Sequence, residues 1–354
     1  MELALYDPAE GYYSSGRAAI GRGGDYFTSV SVGPLFGRLL AAHFAEMWEI
    51  LGRPREFRIV EQGAHAGDFA RDALGAAATG HPEFFAAVRY TIVEPFSILQ
   101  ARQATALAEF TGRVKWQKTL AEVPPFCGVH FSNELLDAMP VHLVRWNGTS
   151  WSERHVAEHA GGFALVDLPL SDRRLAERLA LLGSAFRAGY ETEIHLAALD
   201  WMRSVAKKLE RGFIVIADYG FARDEYYSPY RTGGTLRGYA RHRSTKSPLE
   251  EIGEADITAQ VEWTSLAETA EGAGLHLAGF TDQHHFITGL LSTRLGEQLV
   301  ASADAKTARA LQTLLHPAQL GMKFQFLVLQ KSVSAALSGL RFARDPRAAL
   351  ALSR

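Results

Sequence analysis

Short apolar runs alternate with longer amphipathic stretches through most of the chain. Four of the runs cover residues 56–63, 89–95, 127–136 and 211–220. Runs of this length between turn-forming residues are typical of buried strands, whereas the stretches between them repeat their apolar residues with the period of a helix. Buried strands separated by helices predict right-handed crossovers and a parallel sheet covered on both faces. The pattern therefore predicts an α/β protein.

Two regions depart from this alternation. Residues 274–287 and 322–332 have strand-like patterns with a helical stretch between them, and they predict an antiparallel pair at one edge of the sheet. Residues 141–170 contain the turn dipeptides NG and GG, each flanked by alternating apolar positions. Such dipeptides join the strands of β-hairpins. We therefore expect a β-hairpin excursion that interrupts the α/β core.

The chain divides into a core and its additions. Residues 1–50 hold a loop rich in glycine and tyrosine and then a helix that opens at a proline, which predicts an N-terminal cap and helix. Residues 51–332 form the predicted core domain, and residues 333–354 a C-terminal tail. Within the core, residues 221–262 form a long polar insertion that is rich in aromatic residues. Loops of that length are usually functional or disordered, and we interpret this one as a substrate or partner surface.

Composition and charge exclude several classes of function. The net charge is only −2 and 47% of the residues are hydrophobic, so the chain is an ordinary globular protein without the field that attracts nucleic acid. The single cysteine, Cys127, excludes an intrachain disulfide and a multi-cysteine metal site. The sequence shows neither a secretory signal pattern at its N-terminus nor an apolar stretch long enough to span a bilayer. We expect a cytoplasmic protein that binds neither nucleic acid nor a membrane.

The residues that follow the predicted strands carry the candidate chemistry, because ligands of open α/β sheets bind beyond the carboxyl ends of the strands. Gly63 and Gly67 follow the first strand, but the GxGxxG pattern that holds a dinucleotide is not present there. Glu61 ends the same strand and Glu94 ends the next one. The acids at the turn, Glu61 and Asp68, would repel a diphosphate and attract a ligand with cationic groups. S-adenosylmethionine is such a ligand, with Glu61 near its α-ammonium group and Glu94 on its ribose hydroxyls. The alternative is that Glu61 caps or pairs locally within an ordinary connection.

Several stretches together resemble one family, the MidA-like class I S-adenosylmethionine-dependent methyltransferases. They are LALYDPAEGYYSS, GDYFTSVSVGPLFGRLLA, SNELLDAMPVH, IADYGF and GTLRGYARHR…GEADITAQVEWTSLAETAEGAGL, in the family's order and over nearly the whole chain. The resemblance implies a Rossmann-like, seven-stranded class I methyltransferase sheet with an N-terminal cap and a long insertion near the substrate site. It also implies S-adenosyl-L-methionine as the cofactor.

The resemblance implies roles for individual positions. Residues 24–28 correspond to the loop that caps the site, and Tyr26 and Thr28 are predicted to close it. Asn133 lies in the motif where cofactor and substrate meet. The predicted cofactor-binding residues are Thr28, Glu61, Gly63, His65, Gly67, Glu94 and Asn133.

The glycine loop departs from the family, which usually has ELGPGRG where this chain has EQGAHAG. Ala64, His65 and Ala66 replace the middle of the motif, so the question is whether the loop still binds its cofactor. Histidine is among the residues enriched at positive φ, and a small methionine tail demands a less close backbone approach than a diphosphate. We expect binding to be retained, with His65 either in contact with the ligand or exposed without a role.

A pair of acids in SNELLDAMP is the candidate catalytic site. Glu134 and Asp137 lie three residues apart and would share one face of a helix. Two carboxylates so placed can hold a guanidinium group by bidentate hydrogen bonds and orient its nitrogen. Asp218 and Tyr219, which end another strand, are predicted to line the same cleft. Glu193 matches an acid in the family pattern, and without the resemblance it is interpreted as a helix-start residue. The alternative is that Asp137 caps a turn and Glu134 faces water.

The sequence thus predicts an S-adenosylmethionine-dependent methyltransferase, and the resemblance implies protein arginine as its substrate and a link to the assembly of a respiratory complex. A protein substrate is the expected partner, and a homodimer is left open. Two alternatives also stay open: an assembly factor that keeps the fold with weak or no catalysis, and an N- or O-methyltransferase for small molecules. Adjacent His284 and His285 suggest a metal site, but no acid or cysteine lies near them at ligand spacing, so we interpret them as a surface pair.

Overall fold

The computed structural model of the chain describes residues 1–18, 28–183, 186–240, 243–245, 247–301 and 303–352. Its α-helices are α1 (Glu2–Tyr6), α2 (Leu35–Ile50), α3 (Asp68–Gly80), α4 (Pro82–Ala87), α5 (Ser97–Ala106), α6 (Arg173–Leu179), α7 (Leu196–Lys208), α8 (Arg223–Tyr226), α9 (Trp263–Gly272), α10 (Gln283–Leu291), α11 (Arg294–Ala301), α12 (Ala305–Leu315) and α13 (Pro346–Ala349). Its strands are β1 (Phe57–Gln62), β2 (Val88–Val93), β3 (Val114–Gln117), β4 (Phe126–Asn133), β5 (His142–Trp146), β6 (Trp151–His159), β7 (Gly162–Leu168), β8 (Tyr190–Ile194), β9 (Leu209–Asp218), β10 (Gly220–Phe221), β11 (Arg237–Ala240), β12 (Arg243–Ser244), β13 (Asp256–Thr258), β14 (Val261–Glu262), β15 (His276–Asp282) and β16 (Gln325–Lys331).

The central sheet has seven strands in the order β15-β16-β9-β4-β1-β2-β3. Strands β3, β2, β1, β4 and β9 pair in parallel, and β16 pairs antiparallel with both β9 and β15. The interior strands are continuous apolar runs because both faces of the sheet are covered by helices. The predicted seven-stranded α/β sheet and its antiparallel pair at one edge are confirmed.

Two apolar clusters cover the two faces of the sheet. On one face, α2 and α3 place Phe44 and Phe69 against Phe131 of β4, and the rings of Phe69 and Phe131 stack with centroids 4.3 Å apart. On the other face, α7 and α9 bury Met202 and Trp263. Each fully buried phenylalanine contributes about 2 kcal/mol through the hydrophobic effect. Helix α2, which the sequence assigned with the N-terminal cap, therefore packs as a core helix of the sheet.

The hairpin excursion forms an antiparallel sheet of its own, ordered β7-β6-β5-β8, which we call the excursion sheet. The predicted turns lie between β5 and β6 and between β6 and β7, where Gly148 and Gly161 have φ of 105° and 78°. Both hairpins are confirmed. The sheet also extends beyond the predicted range of 141–170, because β8 pairs with β5 and so adds residues up to Ile194.

The insertion of residues 221–262 holds short elements rather than one open loop. Strands β12, β11 and β13 form a small antiparallel sheet, and β10 pairs in parallel with β14. The start of the chain packs on this insertion, because Leu5 and Tyr12 share an apolar cluster with Ile257 of β13. The N-terminal segment and the insertion therefore pack against each other.

The C-terminal tail also packs on the core. The backbone amide of Ser338 donates to Glu46 of α2 at 2.8 Å. Leu350 is buried in the same apolar cluster as Met202 and Trp263. Within the described part of the chain, no helix combines the length and the apolar character needed to cross a bilayer.

Candidate active site

A cavity of about 580 Å³ opens at the carboxyl ends of β1, β2 and β4. Its volume lies in the range of small-molecule sites, and its place is where ligands bind in open α/β sheets. Strand β1 supplies Glu61 to its wall from near its carboxyl end, the end of β2 supplies Glu94, and the end of β4 supplies Asn133 and Glu134. The structure thus brings together residues from the carboxyl ends of three different strands.

The glycine loop turns sharply from β1 into α3. Gly63 and Gly67 have φ of 83° and 86°, and His65 between them has φ of 45°. The left-handed region is open to glycine at no cost and to histidine at a small one. A Cβ at Gly67 would come within 3.3 Å of the Cα of Gln103, so a larger residue there would also press on α5. His65 therefore adopts a left-handed backbone conformation of the kind open to glycine.

The side chain of His65 contacts the N-terminal segment as well as the cavity. Its Nε2 lies 3.4 Å from the carbonyl oxygen of Ala18, and its ring forms part of the cavity wall. Burial lowers the pKa of His65, so the ring is neutral at pH 7. A neutral ring adds no positive charge to the cavity.

Gln103 of α5 joins the glycine loop to the acid at the end of β2. Its Nε2 donates to the carbonyl oxygen of His65 at 2.9 Å and to Oε2 of Glu94 at 3.1 Å. Its Oε1 accepts from the indole nitrogen of Trp116 at 2.9 Å, and the side chain is fully buried. No pattern in the sequence marks this role, because a glutamine within a helix belongs to no motif.

The two predicted cofactor acids are buried in the cavity wall. The hydroxyl of Tyr90 donates to Glu61 at 2.7 Å, and the backbone amide of Phe96 donates to Glu94 at 3.0 Å. Burial raises the pKa of each carboxyl group to about 7. A positively charged ligand would offset that cost and favour the ionised forms.

Thr28 lies on the cavity wall, where the sequence predicted a residue of the cap. Its Oγ1 accepts from the backbone amide of Ser31 at 3.1 Å, and the hydroxyl of the next residue, Ser29, donates to Gln283 of α10 at 2.7 Å. The other predicted cap residues, 24–27 including Tyr26, lie outside the described residues.

The N-terminal segment supplies two further residues that the sequence did not single out. Tyr6 and Tyr13 line the cavity, and their rings stack with centroids 5.8 Å apart. The hydroxyl of Tyr6 donates to the carbonyl oxygen of Ala138 at 2.8 Å, and its ring stacks on Phe96. Burial raises the pKa of Tyr6, which keeps the hydroxyl protonated. The resemblance of LALYDPAEGYYSS to the family was the signal that could have identified them.

Glu134 faces the cavity from a strained backbone. Its φ is 51°, and its Oε1 accepts from Nδ2 of Asn133 at 2.8 Å. Burial and the nearby carboxylates of Asp137 and Asp218 raise its pKa well above the ordinary value. The expected helix is not formed, because residues 134–139 make turns and bends, so Glu134 and Asp137 do not share a helix face.

Asp137, Asp218 and Tyr219 lie behind the cavity wall rather than on it. Asp218 is fully buried and accepts from the backbone amides of Leu135 and Leu136 at 3.2 and 2.9 Å. The hydroxyl of Tyr219 donates to the carboxylate of Asp137. The prediction that Asp218 and Tyr219 line the cleft is therefore wrong, because their polar atoms are used to hold the loop that carries Glu134.

These residues fit S-adenosylmethionine. The glycine loop leaves room for the methionine tail, Glu61 suits its ammonium group, and Glu94 has the acceptors that a ribose diol needs. Among the described residues no cluster of three or more potential metal ligands is present. The sheet order and this set of residues define a class I S-adenosylmethionine-dependent methyltransferase.

The comparisons with known proteins give the family. The chain belongs to the family described as "Putative S-adenosyl-L-methionine-dependent methyltransferase", which matches residues 39–281. It is similar to a protein from Burkholderia thailandensis whose crystal structure contains S-adenosyl-homocysteine, with 34% identity and a TM-score of 0.87 over 98% of this chain and 90% of that one. The MidA-like family predicted from the sequence is confirmed, and so are the methyltransferase class and its cofactor, S-adenosyl-L-methionine.

Two named relatives extend the comparison to proteins with an assigned substrate. Protein arginine methyltransferase NDUFAF7 homolog, mitochondrial, of Drosophila melanogaster is 28% identical and covers 95% of this chain and 81% of its own length. Protein arginine methyltransferase NDUFAF7, mitochondrial, of Homo sapiens is 26% identical and covers 98% of this chain and 82% of its own length. The similarity spans the core, the excursion sheet and the insertion.

Proposed function

We propose that this methyltransferase acts on arginine side chains of a protein substrate. The charge of the cavity carries the proposal, because no lysine or arginine is found among the described residues of its wall. A concave site lined by one sign of charge concentrates ligands of the opposite sign. An arginine side chain stays cationic at physiological pH and meets that requirement. The carboxylates of the wall belong to Glu2, Glu61, Asp68, Glu94 and Glu134.

Glu134 is the residue that we assign to the substrate. When bound, S-adenosylmethionine supplies an electrophilic methyl group on a sulfonium sulfur. Glu61 and Glu94 belong to the cofactor motifs, whereas Glu134 is free to hold a guanidinium group and orient one nitrogen. As the new N–C bond forms and the S–C bond breaks, that nitrogen gives up a proton. Glu134 accepts it, and the raised pKa of its carboxyl group makes it a better base near neutral pH.

Methyl labelling of cell proteins tests the proposal. The purified protein is incubated with methyl-tritiated S-adenosylmethionine and a cell lysate, and the protein fraction is hydrolysed to amino acids. We expect label in methylarginine. Glu134→Gln should lower labelling by about a hundredfold while S-adenosylhomocysteine binds with a Kd within about threefold of the wild type. Glu158→Gln, which changes an exposed carboxylate on β6, is the matched control.

The same experiment separates the other functions. Label in methyllysine, or in the small-molecule fraction, would reject the arginine proposal in favour of another acceptor. Bound S-adenosylhomocysteine without any label would instead favour an assembly factor with weak or no catalysis. The cytoplasmic location, the homodimer and the link to respiratory complex assembly stay predictions.

A further inference from the structure

Glu193 is a buried acid that the proposed reaction does not use. It lies in β8 of the excursion sheet, opposite Leu143 of β5, and its side chain is fully buried. The expectation that it starts a helix is therefore wrong, because β8 continues to Ile194 before α7 begins. Taking a carboxylate out of water is costly unless hydrogen bonds replace its hydration, so its partners show what it holds.

Among the described residues, the hydrogen-bond partners of the Glu193 carboxylate all belong to the insertion. Its Oε1 accepts from the backbone amides of Thr235 and Leu236 at 2.8 and 2.9 Å. Its Oε2 accepts from the hydroxyls of Tyr226 at 2.8 Å and Thr235 at 3.1 Å. A Cβ at Gly234, where φ is 59°, would lie 2.1 Å from Oε1. The insertion thus wraps closely around one carboxylate of the excursion sheet.

From Thr235 the contacts continue to the strand that supports the cavity. The backbone amide of Gln260 donates to Oγ1 of Thr235 at 3.1 Å. One residue earlier, the amide of Ala259 donates to the carbonyl oxygen of Asp137 at 2.8 Å. At the other end of β13, Asp256 accepts from the hydroxyl of Tyr13 at 2.8 Å. Residues 256–260, which are β13 and the two residues after it, therefore hold both the loop that carries Glu134 and a tyrosine of the cavity wall.

We propose that Glu193 is a positioning residue for the methyl-acceptor side of the cavity. Its carboxylate fixes the insertion to the excursion sheet, and the insertion in turn fixes residues 256–260 against Asp137 and Tyr13. The cofactor side is held independently by β1, β2 and Gln103. The inference rests on the proposed function for the identity of the methyl acceptor. The contacts that Glu193 makes do not depend on that function.

The test combines amide hydrogen exchange with steady-state kinetics on Glu193→Gln. The amide group of glutamine offers one acceptor oxygen to four donors, so we expect faster exchange at 234–236 and 256–260 and unchanged exchange in the glycine loop. The kcat/KM for the methyl acceptor should fall roughly ten- to a hundredfold, because small displacements of bound groups are that costly, while the Kd of S-adenosylhomocysteine changes less than about twofold.

Two further variants make the result decisive. Gly234→Ala pushes against the same carboxylate without changing its charge, and it should reproduce the exchange pattern of Glu193→Gln. Glu191→Gln, two residues earlier in β8, removes a carboxylate that pairs with Arg154 and should leave exchange at 256–260 unchanged. Unchanged exchange at 256–260 in Glu193→Gln would overturn the inference. An equal loss of cofactor binding would overturn it as well. A wild type that labels no arginine would count against the proposed substrate only, since the exchange pattern is measured without it.

Discussion

The side-chain amide of Gln103 donates a hydrogen bond to the carboxylate of Glu94, 3.1 Å away. Its second N–H donates to the carbonyl oxygen of His65, so one buried side chain sets the distance between two cofactor motifs. A hydrogen bond to an ionised acceptor contributes about 1.5–3 kcal/mol. The two motifs therefore form one unit, although each was recognised from the sequence alone.

Replacing Gln103 should weaken cofactor binding. In Gln103→Leu the volume is kept, but Glu94 and the His65 carbonyl each lose a donor and the Trp116 indole loses its acceptor. We expect the Kd of S-adenosylhomocysteine to rise about tenfold or more, measured by calorimetric titration. Gln312→Leu on the exposed face of α12 is the control. An unchanged Kd in Gln103→Leu would show that the two motifs act separately.

Cofactor binding should depend on pH near neutrality. The folded-state pKa values of Glu61 and Glu94 are raised to about 7, so in the free protein both carboxyl groups gain protons as the pH falls through 7. A cationic ligand binds the ionised forms, and its affinity should therefore fall as the pH is lowered. Between pH 7 and pH 5.5 we expect about a tenfold loss for each carboxylate that must ionise.

Glu61→Gln provides the check on that assignment. It should bind S-adenosylhomocysteine more weakly than the wild type at pH 7 and show a shallower dependence on pH. A wild-type affinity that is constant from pH 5.5 to 7 would contradict the roles of both acids.

The positive φ of His65 predicts different effects of two substitutions on the free energy of unfolding. His65→Gly keeps access to a φ of 45°, so the free energy of unfolding should change by less than about 1 kcal/mol. His65→Val places a β-branched side chain in a region that it rarely adopts, and the protein should lose about 1–3 kcal/mol. Urea denaturation measures both. Equal stability of the two variants would mean that the loop relaxes to another conformation.

Removing the hydroxyl of Tyr219 should change the pH profile of methyl transfer. The pKa of Asp137 is raised to about 6 by burial, and the hydrogen bond from Tyr219 opposes that rise. In Tyr219→Phe the pKa of Asp137 should move higher, so Asp137 stays neutral up to a higher pH and its charge raises the pKa of Glu134 less. The acidic limb of the kcat profile, which the proposed base Glu134 sets, should therefore shift to lower pH. Because the loop that carries Glu134 also loses a hydrogen bond, we expect the plateau value of kcat to fall about tenfold with normal cofactor binding. Tyr230→Phe, at an exposed position, should match the wild type.

The residues that could be predicted from the sequence are those at strand ends. Glu61 and Glu94 were identifiable because a buried strand ends at each of them, and parallel strands bring their carboxyl ends to one edge of the sheet. His65 was identifiable because its neighbours Gly63 and Gly67 mark a turn. Local sequence sets these features, so no knowledge of packing was needed.

The residues that were missed or misplaced depend on long-range contacts. Gln103 and Tyr6 act through partners dozens of residues away, and nothing in their local pattern distinguishes them from other helical residues. Asp218 was expected on the cleft, yet its carboxylate accepts hydrogen bonds from the amides of Leu135 and Leu136. These partners are more than 80 residues away, so only the tertiary structure determines where the carboxylate points. The helix expected after Asn133 is absent: Glu134 has a left-handed φ of 51°, and Pro140 disfavours helical backbone at Met139.

The antiparallel strand β16 has a consequence for the order in which the protein can be built. It is the last strand along the chain, yet it lies between β9 and β15. During synthesis on a ribosome, β1, β2 and β4 can pair, and the cofactor residues they carry can assemble, while β15 still has no neighbour. The edge of β9 stays open until residues 325–331 emerge. A nascent chain of this protein therefore presents an unpaired strand edge late in its synthesis. That edge is the part of the chain on which a chaperone would bind or another strand would pair wrongly.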